Sequence, residues 1–168
     1  MTFDEFASSH LARLLRFAAV LTGERGLAED VVQEVLLRTH QRWHKISGLD
    51  APEQYVRRMI TNEYLSWRRR WARITPHAEL PATSLAFPDH AVVHAERDAL
   101  RVELTKLPRR QRAVLVLRFY AGMSDQEIAE VLGCRAGTVR GYVSRALAAL
   151  RVEMGEPVKE AMVNAQRG

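Results

Sequence analysis

Cysteine is almost missing from this chain. Cys134 is the single one, which excludes an intrachain disulfide and any cysteine cage for zinc. Long apolar runs are missing as well. No stretch approaches the roughly 20 residues of a membrane-spanning helix, and no signal peptide opens the sequence. A cytoplasmic protein without membrane insertion is therefore expected. The alternation of apolar and polar residues that marks strands is absent, so the expected fold class is all-α. There is no G-x-S-x-G, no phosphate loop and no reactive-cysteine setting, and the acids fall in helical pairs that suit surface salt bridges. No enzyme and no cofactor is expected. The pairs His40/His44 and His90/His94 stand i, i+4, but two ligands do not close a metal site and no H-E-x-x-H surrounds them. No metal is expected either.

What is present is basic. The 168 residues are 47% hydrophobic, with net charge +5 and a pI near 9.9. That length supports one domain or two small ones, and the charge points toward nucleic acid. It is unevenly spread: no acid lies between Glu63 and Glu79, and none between Glu130 and Glu153.

The second gap falls on a helix-turn-helix pattern. Ser124 and Glu127 form an S-x-x-E capping box, Ile128, Ala129, Val131 and Leu132 make an apolar stripe, and Gly133 follows where a left-handed C-terminal residue belongs. A second helix is expected from about Ala136 to Arg151. At about 100° per residue, Val139, Val143, Ala146, Leu147 and Leu150 share a buried side. Gly137, Arg140, Gly141, Ser144, Arg145 and Ala148 fall opposite. A solvated face normally mixes charges, whereas this one carries two arginines and no acid, which favours an anionic partner. Arginine reads guanine O6 and N7 with paired hydrogen bonds. The two glycines cost helix stability and permit close approach of the helix backbone to a groove. Cys134, in the turn, reads as a small core residue.

The N-terminal half opens with another capping box, Thr2 and Glu5. The helix after it carries Phe3, Phe6, Leu11, Leu14, Leu15, Ala18 and Leu21 as its apolar side and ends at Thr22-Gly23. A second helix, from about Leu27 to Trp43, has Val31, Val35, Leu36 and Thr39 on one side. Asp30, Gln33, Glu34 and Arg38 on the other are either a solvated face or a docking surface. A third helix, capped by Asp50 with Pro52 in its first turn, extends to about Ile74. Its end, Asn62 to Arg73, interleaves aromatics with arginines, the composition that stacks on unpaired bases while holding the backbone. Trp67 and Trp71, at i and i+4, allow one of the two to pack in the core. Residues 74–88, with Pro76, Pro81 and Pro88, read as a linker. Helices are then expected from about Asp89 to Lys106 and from Arg109 to Tyr120, the latter packing Val114, Leu115, Leu117 and Phe119. The expected architecture is two small helical domains, 1–73 and 89–155, joined by that proline-containing linker and followed by a tail, 156–168.

With these residues in place, the chain resembles the extracytoplasmic-function (group IV) sigma factors of the sigma-70 family, from Phe3 to about Arg151. The resemblance rests on AEDVVQE (Ala28 to Glu34), YVRRMITNEYLSWRRR (Tyr55 to Arg70), and LPRRQRAVLVLRFYAGMSDQEIAEVLG with GTVR (Leu107 to Arg140). The WRRRW form is similar to those frequent in actinobacteria. The resemblance implies a factor that joins core RNA polymerase and directs promoter-specific initiation. Asp30, Gln33 and Glu34 match the surface that docks on the β′ clamp helices. Asn62 matches a pocket residue for a flipped base of the −10 element. Arg57, Arg58, Trp67, Arg68, Arg69 and Arg70 match the segment engaging the −10 region as it melts. The second domain matches the one that reads the −35 element and binds the β flap tip, with Arg140 and Arg145 at base-contacting positions and Thr138 at a phosphate-contacting one. Arg135, Gly141 and Ser144 complete that candidate surface. An anti-sigma factor is an implied partner.

The sequence departs from the family at two places. Arg135 stands where a Ser or Thr cap is common, so the entry to the recognition helix is either less rigid or offers a further phosphate contact. Gly141-Tyr142 replaces the commoner Ser-Arg pair, which puts the −35 preference in doubt. No appended regulatory domain is expected after the second DNA domain. The alternative function is a stand-alone helix-turn-helix regulator binding duplex DNA as a dimer. The Asn62 to Arg73 cluster and the linker favour the first reading, because a repressor needs no melting surface.

Overall fold

The computed structural model describes the backbone of residues 1–74 and 94–154 and the side chains of residues 1–66 and 99–150. All regular structure among the described residues is helical. The chain divides into two compact units, Met1–Ser84 and Leu85–Gly168. Apart from Ile74, the last residue of a helix, the stretch read as a linker lies outside the described residues, as does the tail 156–168.

In the first unit, α1 (Phe3–Thr22) starts at the capping box. The Glu5 N–H donates to Thr2 Oγ1 at 3.3 Å, and the Thr2 N–H donates to the Glu5 carboxylate at 2.8 Å. The hydrogen bond from the Thr2 backbone holds the Glu5 carboxyl below its ordinary value. α1 stops at Gly23, whose φ of 75° is strained for any residue with a Cβ. Phe6, Leu14, Ala18 and Leu21 are buried as the pattern requires. Leu11 is not: it is 41% exposed.

The second helix is shorter at its end than the sequence suggests. α2 spans Arg25–Gln41, and Trp43–Ile46 forms a separate turn, α3. Arg42, at φ −114° and ψ 15°, leaves the helical region. The break lets Trp43 turn back onto α1, with its ring centroid 4.9 Å from Phe6 and 5.8 Å from Phe3. Its indole N–H donates to the Met1 carbonyl at 3.2 Å. α4 (Pro52–Ile74) has its first hydrogen bond from the Tyr55 N–H to the Ala51 carbonyl. Ala51 rather than Asp50 thus holds the cap position, and Pro52 opens the helix, where its missing N–H costs nothing. Val56, Ile60 and Tyr64, four apart, are buried, and α4 packs against both α1 and α2.

In the second unit, α5 (His94–Lys106) and α6 (Arg109–Leu115) flank Pro108. The helix expected to reach Tyr120 changes its last turn: Val116–Tyr120 is π-helical, with the Ala121 N–H bonded to the Val116 carbonyl at 3.0 Å. Val114 and Leu115 at the end of α6 and Val116 and Leu117 in the π turn are buried in succession, while Phe119 remains half-buried. Gly122 at φ 68° redirects the chain. α7 (Asp125–Leu132) opens with the Ser124–Glu127 box and closes at Gly133, φ 62°. The Cys134 N–H reaches back to the Ala129 carbonyl at 3.0 Å, the six-to-one bond of a Schellman ending. Cys134 itself is half-buried rather than core, and Val131 is half-buried too. α8 runs Ala136–Met154, a little beyond the expected end.

Candidate nucleic-acid interface

α8 separates its faces as its sequence does. Val139, Val143, Ala146, Leu147 and Leu150 are buried against α5, α6 and α7. Gly137, Thr138, Arg140, Ser144, Arg145 and Ala148 are exposed, and Gly141 and Tyr142 are half-buried. Arg140 and Arg145 have no carboxylate partner among the described residues. Arg145 instead lies over the Tyr142 ring, 5.3 Å from its centroid. Arg135, also exposed, accepts the first α8 hydrogen bonds through its carbonyl, from Thr138 at 2.9 Å and Val139 at 3.2 Å. It therefore occupies the cap position, where a guanidinium has no acceptor to offer. Among the described residues this leaves the Ala136 and Gly137 N–H groups of the first turn without an acceptor, next to a cation in the sequence, a setting suited to phosphate.

In the first unit, Asp30, Gln33 and Glu34 are all exposed on α2. They differ in commitment. Glu34 accepts from Arg38 at 2.8 Å, and Arg38 also reaches Glu63 of α4 at 2.6 Å. The Glu63 side chain is only 5% exposed. Hydrogen bonds to Glu34 and Glu63 push the Arg38 guanidinium above its usual value. Asp30 and Gln33 have no such partner among the described residues. Beside them lies an open groove of about 430 Å³ between α1 and α2, floored by Leu11, Leu15, Val32, Leu36 and Leu37, with Gln33 on its edge. The sequence reading missed this groove. Its signal was Leu37, which stands about 200° around the helix from the buried Val35 and so falls on the opposite face; Leu37 is 56% exposed.

On α4, Asn62 is exposed and Arg58 half-buried. Arg57 points inward: its side chain is 13% exposed, pairs with Glu53 at 2.7 Å and lies over the Phe17 ring at 5.4 Å. Glu53 also takes Arg13 at 3.1 Å and sits 3.5 Å from His10. The side chains of Trp67, Arg68, Arg69 and Arg70 lie outside the described residues, although α4 runs through them. Among the described residues, no three His, Cys, Asp or Glu side chains cluster as a metal site. No helix among them is long and apolar enough to cross a membrane.

One unit built on a helix-turn-helix and a second built on an amphipathic helical core is an architecture suited to a two-unit DNA-binding protein. Residues 6–74 match sigma-70 region 2, and residues 97–150 match sigma-70, region 4. The RNA polymerase sigma-E factor of Streptomyces avermitilis is 37% identical over 155 residues, covering 92% of this chain and 86% of the relative. The ECF RNA polymerase sigma factor SigL of Mycobacterium tuberculosis is 35% identical over 153 residues, 88% of this chain and 85% of that one. The sigma factor RpoE of Bartonella quintana, solved in complex with the anti-sigma factor NepR, has the same fold. Its TM-score is 0.74 at 23% identity, over 92% of this chain and 98% of that one. The chain belongs to the sigma-70 family, among its extracytoplasmic-function members, and is an RNA polymerase sigma factor directing promoter-specific transcription. Two regions in this order on one chain remove the stand-alone regulator.

Proposed function

We propose that this chain acts by binding rather than catalysis, as a cytoplasmic initiation factor in which each unit has its own DNA element. Residues 1–73 form the unit that docks on polymerase and engages the −10 element, residues 74–88 link it, and residues 89–155 read the −35 element. Asp30, Gln33 and Glu34 meet the β′ clamp helices, with the neighbouring groove receiving apolar side chains. Asn62 holds a flipped base, and Arg58 with Trp67, Arg68, Arg69 and Arg70 engages the strand as it opens. Binding energy there offsets the few kcal/mol lost on unstacking a base. Arg57 contributes by bracing α4 on α1. In the second unit Arg140 and Arg145 read bases, Arg135 and Thr138 hold phosphate, and Gly141 and Ser144 let the groove come close, while the unit also meets the β flap tip. An anti-sigma factor is a further partner.

The observation that carries the docking assignment is that Asp30 and Gln33 are exposed and unpartnered among the described residues beside an apolar groove. The test is a pull-down of bacterial core RNA polymerase with wild type and with Asp30→Ala/Gln33→Ala. The double variant is expected to lose most of the binding. Undiminished retention of polymerase by a folded double variant would place the docking face elsewhere.

A further inference from the structure

α8 departs from the common family pattern at Gly141-Tyr142, and the structure gives those two residues a shared contact. The Arg145 Cζ lies 5.3 Å from the Tyr142 ring centroid, inside the roughly 6 Å reach of a cation–π contact. The residues are i, i+3, neighbours on a helix surface. One turn before Arg145 stands Gly141, and a Cβ there would lie 3.8 Å from Arg145 Nη2. Gly141 thus places no side chain of its own against this guanidinium. We infer that Tyr142 is a specificity-determining positioning residue, which holds Arg145 over the bare backbone at Gly141 so that its N–H edge is presented to a guanine in the upstream promoter element.

The inference rests on the proposed reading of that element by α8. It turns on what kind of partner orients a cation. A carboxylate fixes a guanidinium by accepting its N–H groups, and those donors are then spent. An aromatic ring attracts the cation through its π face and accepts none of the edge donors. Arg145 is exposed and has no carboxylate partner among the described residues. Its five donors thus remain available for guanine O6 and N7, while the ring narrows the directions it samples. The arginine at 140 has a similar glycine contact, its Nη2 lying 3.7 Å from a Cβ built at Gly137, but among the described residues no ring holds it.

The experiment uses holoenzyme reconstituted with core polymerase and a panel of promoters, each with one base pair of the upstream element substituted. Wild type is compared with Arg145→Ala, Tyr142→Phe, Tyr142→Ala and the Arg145→Ala/Tyr142→Ala pair. Arg145→Ala is expected to flatten discrimination at one G·C position by about 5- to 150-fold. Tyr142→Ala should reduce discrimination at that same position by about two- to fivefold and leave the other positions alone. Tyr142→Phe, which keeps the ring, should retain the wild-type profile. In the Arg145→Ala background, Tyr142→Ala should have no further effect, as required of a residue that acts through another. The inference is overturned if Tyr142→Ala leaves the profile unchanged, lowers all positions equally, or acts with and without Arg145 alike. A flat response to Arg145→Ala itself would instead remove the base-reading role of Arg145, a separate failure visible before any tyrosine variant is considered.

Discussion

The outer faces of α2 and α8 are both polar, both exposed and both rich in charge, yet they treat their arginines in opposite ways. On α2, Arg25 is taken by Glu29 at 2.8 Å, and Arg38 is shared between Glu34 and the buried Glu63. On α8, Arg140 and Arg145 meet no carboxylate among the described residues. Solvent exposure alone does not distinguish the two faces; where the charge is already spent does. A paired arginine has little left for an outside anion. An unpaired one keeps its donors and its field, and it releases counterions when it meets phosphate. The α2 face offers what remains after pairing, Asp30, Gln33 and an apolar groove, which suits a protein. The α8 face offers uncommitted cations, which suits DNA.

The strongest way to break this contrast is to reverse the charge on α8. Arg140→Glu/Arg145→Glu should lower the affinity of holoenzyme for a promoter carrying the upstream element by about two to four orders of magnitude. The unfolding midpoint of the free protein should move by less than the equivalent of about 1 kcal/mol, because Arg140 has no carboxylate partner among the described residues and Arg145 loses only its exposed contact with the Tyr142 ring. A large loss of stability would show that these arginines are committed inside the unit after all. A smaller effect sharpens the α2 side of the contrast. Glu63→Ala leaves Arg38 with only its exposed partner, and should cost about 1–3 kcal/mol in urea unfolding, below the full value for a buried pair because Arg38 is itself 36% exposed. Glu34→Ala, which removes only the exposed partner, should cost about 0.5 kcal/mol or less. Equal costs would mean that Arg38 treats both as surface partners and does not tie α2 to α4.

The parts legible in the sequence are those fixed within a few residues. Both capping boxes close as their spacing requires, because a side chain three residues away has one backbone N–H within reach. Gly23 and Gly133 stop their helices because a left-handed residue is needed there. The two faces of α8 were legible for the same reason, from periodicity and a gap in acidic residues. What was not legible depends on residues far apart in the chain. Trp43 leaves α2 to pack on Phe3 and Phe6, some forty residues earlier. Arg38 finds Glu63, on another helix, as readily as its i−4 neighbour Glu34. Arg57, which the resemblance matches to the segment engaging the −10 region, is drawn inward by Glu53 and Phe17. The π turn at Val116–Tyr120 interrupts a run with ordinary helical periodicity, and no local propensity announces it.

The smallest effect tests whether commitment, rather than burial, is what matters. Glu5 is exposed, so burial would assign it no role, yet its carboxylate is spent on the Thr2 N–H. That hydrogen bond holds its carboxyl below the ordinary 4.5. A carboxyl depressed by folding contributes stability that is fully present above its unfolded value and is lost as pH falls through the lower folded value. The start of α1 should therefore loosen on acidification below about 4.5, seen as faster hydrogen exchange at the Thr2 and Glu5 amides relative to amides in the middle of α1. Glu5→Gln keeps an acceptor for the Thr2 N–H but has no proton to gain, so its first turn should show no such step. An identical acid response in wild type and Glu5→Gln would show that the charge of Glu5 is solvated rather than committed. Exposure would then be the better guide to which charges of this chain are free, and the contrast between α2 and α8 would need another cause.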